Sequence, residues 1–385
     1  MKSIPRAAWL GLLCLALAAS TGSASAQSAQ DKAGDPIKVG RSLALTGALA
    51  SYGIAKQAGG EAYIARINRE GGVRGRKIEL NTLDDRYDPK ETAKNITALN
   101  QTGIVALLGL FGVPTVAAVL PLIDELKLPT VGLTSGAAVV RNPPRRYVFP
   151  VRASYADEAD AMVSHFSTLG LKRVIIVRQT NPYGASVAEN MQTALGKAGI
   201  KPAADIEIAV DGSNAKAVAK KLSEAGEANV LFLAMLSGPA SLLVEEMRNI
   251  NTQSAAGIFS VSAVDTTVLA NRLKEKARGV AVSQIVPLMQ ESTPLVRDYL
   301  RDTKALNNGT TPSFYGLEGY IEARVMVEAM KRVTGPLTRE SLVAALEGMG
   351  TFDLGGISLT YGPGKHEGMK FVELTMISRN GTLVR

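Results

Sequence analysis

Two loops carry the side chains best suited to holding a small molecule. The first spans residues 109–115 and follows the apolar run 105–108. The second spans residues 134–137 and follows the apolar run 130–133. Glycine, serine and threonine let a ligand reach backbone N–H groups and hydroxyls. The pattern predicts a small-molecule site, although ordinary turns between a strand and a helix use the same residue types.

Side chains for other chemistry are scarce. The chain has two histidines, His165 and His366, and neither has the spacing of a metal ligand pair or lies beside a nucleophile elbow. The only cysteine is Cys14, near the N-terminus. A phosphate-binding loop of the Walker type and a dinucleotide fingerprint are both missing from the sequence. These observations disfavour metal, redox and cofactor chemistry.

A few acids and tyrosines allow two interpretations each. Asp84, Asp85 and Asp88 could surround a cation, but Asp88 before Pro89 is better placed to cap a helix and the other two to end a strand. Three tyrosines, at positions 52, 183 and 315, stand in loops or at helix starts. Such rings either line a ligand site or pack against neighbours.

The first 26 residues read as an export signal. Lys2 and Arg6 precede an apolar run at 7–19, and Ala24-Ser25-Ala26 fits a cleavage site. The run is shorter than the ~20 residues needed to cross a bilayer. We therefore expect a periplasmic protein cleaved after Ala26.

The composition narrows the partners of the mature chain. Without Lys2 and Arg6 the net charge falls from +8 to +6, and the remaining basic residues are scattered. Scattered charge with few aromatics predicts a solvated surface, neither a nucleic-acid groove nor a membrane-inserted segment.

The two loops belong to a strand, helix, strand unit. Between the apolar runs lies a helix after Pro114, with its apolar residues at steps of three and four. Such a unit makes the two strands parallel, and ligands bind at the carboxyl ends of parallel strands. This unit fixes the position of the predicted site.

The same alternation continues along the chain. Strands are predicted at 37–45 and 78–82, and after an extended crossing at 149–153 the pattern starts again. The later strands are expected at 174–177, 204–209, 230–235, 257–261 and 280–286, and the later helices at 155–169, 184–198, 214–226, 239–250, 294–306, 314–333 and 338–348. Short β segments follow from residue 357. The fold class is therefore α/β, with two similar doubly wound halves.

Several motifs together resemble one family. The run Ile67-Asn68-x-x-Gly71-Gly72-Val73-x-Gly75 and the run Asp84-Asp85-x-x-Asp88-Pro89 are similar to the first lobe of branched-chain amino acid binding proteins. These are type I periplasmic substrate-binding proteins of ABC importers. The segments 46–53, 181–184 and 316–323 fit the same pattern.

The resemblance implies a Venus-flytrap architecture of two lobes joined by three crossovers near Arg152, Val286 and Ser358. The polar, small-residue stretch at 27–36 is predicted to be a disordered leader. The resemblance implies a first lobe at 37–152 plus 286–357 and a second lobe at 153–285 plus 358–385. It also implies a monomer without cofactor or metal, which delivers a ligand to a permease and ATPase in the inner membrane.

The resemblance also implies the ligand contacts. Carried over residue by residue, they fall on Tyr52, Gly112, Val113, Thr134, Ser135, Gly136, Tyr155, Tyr183, Leu236, Ala263 and Tyr315. Hydroxyls and N–H groups at 134–136 suit a carboxylate, and the tyrosines suit an apolar tail.

Some positions depart from the amino-acid binders. The cysteines that pair in some members are Tyr87 and Gly112 here, and an expected hydroxyl is replaced by Val113. An aromatic of the second lobe becomes Leu236, and the acid that takes the ligand ammonium becomes Ala263.

Asp265 lies two residues beyond Ala263, and it either returns to the site or caps the helix that starts at Thr266. We expect a small organic acid or amide with an apolar or aromatic body, with leucine, isoleucine and valine binding weakly. A ligand-sensing receptor of the same fold is the alternative to a transport protein, and an enzyme is the third possibility.

Overall fold

The computed structural model describes residues 34–226, 228–250 and 255–385. The expected signal peptide and residues 27–33 of the expected leader lie outside these ranges. Residues 34–36 form a turn and a bend before the first strand. In the described part of the chain, no helix combines the length and the apolar character needed to cross a membrane.

Strands and helices alternate as the sequence predicts. The strands are β1 (Ile37–Leu43), β2 (Ile78–Asp84), β3 (Ala106–Phe111), β4 (Thr130–Thr134), β5 (Val148–Phe149), β6 (Val174–Gln179), β7 (Ala204–Ile208), β8 (Ala228–Ala234), β9 (Ala255–Ser260), β10 (Val280–Gln284), β11 (Gly350–Asp353), β12 (Ser358–Gly362), β13 (Lys365–Met369), β14 (Glu373–Ile377) and β15 (Leu383–Val384).

The helices are α1 (Ala50–Arg69), α2 (Pro89–Gln101), α3 (Val113–Glu125), α4 (Tyr155–Thr168), α5 (Pro182–Lys197), α6 (Ala215–Glu224), α7 (Ser237–Asn249), α8 (Thr266–Leu273), α9 (Pro294–Leu306), α10 (Phe314–Arg332) and α11 (Arg339–Glu347). The predicted later helices agree with these bounds to within two residues.

Local chemistry explains where several helices begin. Asp88 caps α2 by accepting a hydrogen bond from the N–H of Lys90, with Pro89 in the first turn. Ser154 and Asp157 form a reciprocal capping box at the start of α4. The cap interpretation of Asp88 is confirmed, and its carboxylate binds its own helix.

The strands form two main sheets and one small one. Within the described residues, the strand order of the first sheet is β2-β1-β3-β4-β5, and all of its pairs are parallel. The second sheet runs β15-β14-β10-β9-β8-β6-β7 and is parallel except where β14 pairs with β10 and β15. We call the parts built on these sheets lobe 1 and lobe 2.

The sheets are covered on both faces, as parallel sheets require. On β6, Val174 and Ile176 belong to one apolar cluster, whereas Ile175 and Val177 belong to another on the opposite face. Helix α3 buries its predicted apolar face, which includes Val116, in the core of lobe 1. Residues of β3 belong to the same core.

The third crossover does not lie near Ser358. Strands β12 and β13 pair with each other, and Leu359, Tyr361 and Met369 pack in the core of lobe 1. The chain then pairs with β10 of lobe 2 through β14, which begins at Glu373. The crossing therefore falls between Met369 and Glu373, and residues 358–369 belong with lobe 1.

Candidate functional site

The carboxyl ends of strands from both lobes meet around a small cavity, which we call the inner cavity. It has a volume of about 20 Å³, roughly the space of one water molecule. Its lining comes from both lobes and from the first crossover: Tyr87, Phe111, Gly112, Val113, Thr134, Arg152, Tyr155, Tyr183, Leu236, Ala263 and Tyr315.

A larger space lies next to it, which we call the outer cleft. Its volume is about 840 Å³, within the usual range of ligand pockets. Its lining is Ala48, Leu49, Ser51, Tyr52, Arg86, Tyr87, Gln179, Asn181, Val210, Asp211, Leu236, Ser237, Gly238, Pro239, Val268 and Arg272. Because Tyr87 and Leu236 line both spaces, they form a shared wall.

Hydrogen bonds between the lobes hold the site closed. The hydroxyl oxygens of Tyr52 and Ser237 lie 2.6 Å apart. The hydroxyl of Tyr315 donates to the carbonyl of Ala263 over 3.1 Å. Within lobe 2, the Ser237 hydroxyl also accepts from the N–H of Asp265 at 2.8 Å, which fixes its position. A ligand larger than water can enter the inner cavity only when the two contacts between the lobes open.

Aromatic rings dominate the walls. In lobe 1, Tyr52 and Tyr315 meet edge to face with ring centres 4.8 Å apart, and Phe111 packs against both. In lobe 2, Tyr155 and Tyr183 meet at 5.9 Å. Offset and edge-to-face pairs of this kind hold ring positions while leaving faces for a ligand.

The phenol groups remain protonated at neutral pH. Burial raises the pKa of Tyr155 and of Tyr52 to about 12. Burial also raises the pKa of Tyr183 and Tyr315 well above the usual value. These hydroxyls are therefore available as hydrogen-bond donors.

Thr134 is the hydroxyl that the inner cavity leaves without a partner. It ends β4, it is buried, and its Oγ1 atom has no hydrogen bond. A buried hydroxyl without a partner is unfavourable, so a ligand acceptor at this position would satisfy it.

Arg152 brings a positive charge to the same cavity. Its Nη2 atom lies 3.2 Å from Glu158 Oε1 and also donates to the Ser262 hydroxyl. A second carboxylate, Glu318, is 3.8 Å from Nη1. Burial lowers the pKa of Arg152, but the two carboxylates outweigh it and hold the pKa above the usual value. The guanidinium is therefore permanently charged.

Most of the sequence-predicted residues converge. Those that line the inner cavity are Gly112, Val113, Thr134, Tyr155, Tyr183, Leu236, Ala263 and Tyr315, and Tyr52 lines the outer cleft. Ser135, Gly136 and Asp265 line neither space.

The backbone explains why Ser135 and Gly136 turn away. The N–H of Ser135 donates to Leu133 O, and the Ser135 hydroxyl accepts from the N–H of Ala137. The carbonyl of Gly136 accepts from the N–H of Tyr155 at 2.9 Å. Of the expected anchor at 134–136, only Thr134 lines the inner cavity.

Asp265 caps α8. Its Oδ1 accepts from the N–H groups of Thr267 and Val268 at 2.8 and 3.2 Å. The cap interpretation of Asp265 is confirmed, and the described lining of the inner cavity contains no acid.

The sequence interpretation missed three of the residues that line the inner cavity. Tyr87 was noted only where relatives have a cysteine, and Arg152 only as a crossover residue. Phe111 lies within the first glycine-containing loop, so its position at a strand end was the available signal. Two of the partners of Arg152, Ser262 and Glu318, are distant in sequence, so no local pattern indicated that Arg152 lies at the cavity.

The fold and this site can now be compared with known proteins. The family model described as periplasmic binding protein matches residues 36–382. The chain belongs to the periplasmic binding protein family. The resemblance to its type I members, drawn from residues 67–75 and 84–89, is thereby confirmed.

Relatives of this periplasmic binding protein carry related names. It is 26% identical to Leu/Ile/Val-binding protein homolog 3 of Brucella melitensis, over 63% of this chain and 64% of that protein. It is 23% identical to Leu/Ile/Val-binding protein homolog 1 of Brucella abortus, over 82% of this chain and 83% of that protein.

Among solved structures, a possible leucine/isoleucine/valine-binding protein from Rhodopirellula baltica is 28% identical with a TM-score of 0.82. That match covers 92% of this chain and 97% of that chain. A branched chain amino acid ABC transporter from Thermus thermophilus with bound valine has the same TM-score at 20% identity, over 91% of this chain and 95% of that chain, and shares the fold.

Proposed function

We propose that this protein is the periplasmic solute-binding component of an ABC importer. Its ligand is a small molecule with a carboxylate or amide group and an apolar or aromatic body, held between the lobes. The observation that carries the proposal is the inner cavity: aromatic walls, a buried Thr134 hydroxyl without a partner, and no acid in the described lining.

Each wall has a part in this proposal. Thr134 donates to the acceptor group of the ligand, while the rings of Tyr155, Tyr183 and Tyr315 cover its body. Val113, Leu236 and Ala263 supply apolar contact at positions where amino-acid binders are expected to have a hydroxyl, an aromatic ring and an acid, respectively. Tyr52 closes over the ligand by its hydrogen bond to Ser237.

The proposed ligand class rests on the absence of an acid from the described lining of the inner cavity. An α-amino acid brings an ammonium, and burying it without a counter-charge is costly. Asp265 is committed to its helix cap through Oδ1, so it is a poor replacement. Plain leucine, isoleucine and valine are therefore expected to bind more weakly than organic acids of the same shape.

Calorimetry on refolded, ligand-free protein tests this with leucine and 4-methylpentanoate, which differ only in the amino group. Tighter binding of the acid supports the proposal. Tight leucine binding that disappears in Asp265→Ala would overturn it and make Asp265 the ammonium partner. Mass spectrometry of molecules released on denaturation identifies the natural ligand directly.

Lobe closure is the proposed mechanism of capture. Because the inner cavity holds roughly one water molecule, the lobes must separate before a larger ligand enters. The crossovers near Arg152, near Val286 and between Met369 and Glu373 are the proposed hinges. Small-angle scattering should show a smaller radius of gyration at saturating ligand, and an unchanged radius would contradict hinge closure.

Delivery and export complete the proposal. The names of structural neighbours refer to ABC transporters, which supports a permease and an ATPase as partners. The protein is proposed to act as a monomer. A signal peptide at 1–26, removed after Ala26, would place the protein in the periplasm. No catalytic role is assigned to any residue.

A further inference from the structure

A line of buried charges runs from the interior of lobe 1 to lobe 2, and we call it the charge chain. Its members are Lys56, Glu322, Glu318, Arg152 and Glu158, each no more than 3% exposed. Lys56 Nζ lies 2.8 Å from Glu322 and 3.6 Å from Glu318. Arg152 then connects Glu318 of α10 with Glu158 of α4.

Arg152 binds Glu158 of lobe 2 more strongly than Glu318 of lobe 1. Glu158 is fixed in lobe 2, because its Oε2 accepts from the N–H of Ser262 at 2.8 Å and from the hydroxyl of Ser283 at 2.5 Å. Glu318 lies beyond hydrogen-bond distance of Arg152, and its Oε1 atom has no hydrogen-bond partner. Arg152 is therefore held by lobe 2 and only loosely paired with lobe 1.

Arg152 also keeps unused hydrogen-bonding capacity. Its Nε atom is buried and without a partner, and the residue lines the inner cavity. Thr134 on the lobe 1 side has an unpartnered hydroxyl on the same cavity. Two buried donors that lack acceptors, one on each side, match a ligand group with two acceptor oxygens.

We propose that Arg152 receives the acidic group of the ligand, which makes the ligand an acid in preference to an amide and couples its charge to closure of the lobes. This inference rests on the proposed function and narrows its ligand class. A carboxylate placed between Arg152 and Thr134 connects the first crossover with lobe 1. It adds to the weak contact that Arg152 already makes with Glu318 of lobe 1. Closure is then favoured by the same charge that gives selectivity.

Matched acid and amide pairs test the proposal: benzoate with benzamide, and 4-methylpentanoate with 4-methylpentanamide. Affinities are measured by calorimetry on the wild type, Arg152→Lys and Arg152→Gln. Charge-assisted bonds predict that the wild type prefers each acid over its amide by about tenfold or more. Arg152→Gln should bring this ratio close to one, and Arg152→Lys should restore part of it, since lysine keeps the charge without the planar fork.

The acid-to-amide ratio separates a binding role from a structural one, because a folding defect weakens both ligands alike. Arg146→Gln, which removes an exposed guanidinium that pairs with Glu340 and lines neither space, is the control and should keep the wild-type ratio. If Arg152→Gln does not fold, the lysine variant decides, with a ratio intermediate between wild type and one expected. Equal binding of acids and amides by the wild type would overturn the role of Arg152 while leaving the proposed function intact. Failure of all four compounds and of leucine to bind would contradict the proposed function itself.

Discussion

The inner cavity and the outer cleft share a wall but differ in how their polar groups are held. Around the inner cavity, Thr134 and Arg152 are buried, and the Thr134 hydroxyl and the Arg152 Nε atom have no hydrogen-bond partner. Around the outer cleft, Arg86, Asp211 and Arg272 are exposed to water. Interactions of desolvated groups are strong and those of exposed groups are weak. Affinity and selectivity should therefore depend on the inner cavity, and the outer cleft should chiefly affect access.

The largest expected contrast comes from two glycines. Gly112 has φ +92°, and a Cβ there would lie 2.2 Å from the Tyr87 ring. Gly47, on the loop before α1, has φ +82° with nothing within 4 Å of the same atom. Gly112→Ala adds overpacking to backbone strain and should lower the free energy of unfolding by about 4 kcal/mol.

Gly47→Ala is the matched control, and strain alone should cost it about 1–2 kcal/mol. Urea titration of both variants measures the difference. Equal losses of unfolding free energy in the two variants would mean that Tyr87 changes position at little energetic cost and that the wall of the inner cavity is easily deformed.

The second contrast is in pH dependence. Burial raises the pKa of Glu322, at the lobe 1 end of the charge chain, from 4.5 to about 7. The folded state thus binds the proton more tightly, so this contribution is fully present below pH 4.5 and is lost as the pH rises through about 7. The loss is on the order of 3 kcal/mol. Unfolding of Glu322→Gln should lack this slope.

Asp211 of the outer cleft provides the opposite sign. A hydrogen bond from the backbone of Ser213 holds the pKa of this exposed carboxyl below its usual 3.8. Its contribution to stability is therefore present above that value and is lost as the pH falls through the lower folded pKa. Asp211→Asn should leave the slope between pH 4.5 and 7 unchanged. A changed slope would mean that exposed charges contribute to the pH dependence assigned to the charge chain.

The third contrast lies within one loop. Thr134→Val removes a buried hydroxyl that has no partner, so stability of the ligand-free protein should stay the same or rise. Affinity for an acidic ligand should fall by roughly 1.5–3 kcal/mol, because one charge-assisted bond is lost. Ser135→Ala is the control, since the Ser135 hydroxyl bonds only to the backbone of its own loop. Calorimetry showing the reverse order of effects would place the ligand against Ser135.

This loop also shows where prediction from sequence stops. Hydrophobic period and capping residues are local signals, so the order of strands and helices and the caps of α2 and α8 were predictable. Which residue of 134–136 lines the inner cavity depends on one backbone turn. The turn at Ser135 directs this residue away from the cavity, whereas it was expected to point inward. Adjacent residues of the same chemical type therefore received the same prediction and have different surroundings.

Contacts between residues far apart in the sequence could not be predicted either, because they leave no local pattern. Arg152 meets Glu318 across 166 positions of the chain, and nothing near either residue indicates the pairing. Likewise, β12 and β13 have patterns that suit either lobe, and only their packing against Phe149 and the rest of the lobe 1 core assigns them.

The smallest expected effect is on the outer cleft, and it is the sharpest check on the comparison. Arg272 is exposed on α8, where water and salt screen its charge over about 10 Å. Arg272→Ala should therefore change the affinity of the tightest-binding acid by less than about 1 kcal/mol. The association rate should fall at low salt and match the wild type at high salt, because a rim charge steers an anion without holding it. Stopped-flow tyrosine fluorescence at two salt concentrations measures the association rate and the dissociation rate. A tenfold loss of affinity through faster dissociation would show that the bound ligand reaches Arg272, and the binding site would then extend from the inner cavity through the wall of Tyr87 and Leu236 into the outer cleft.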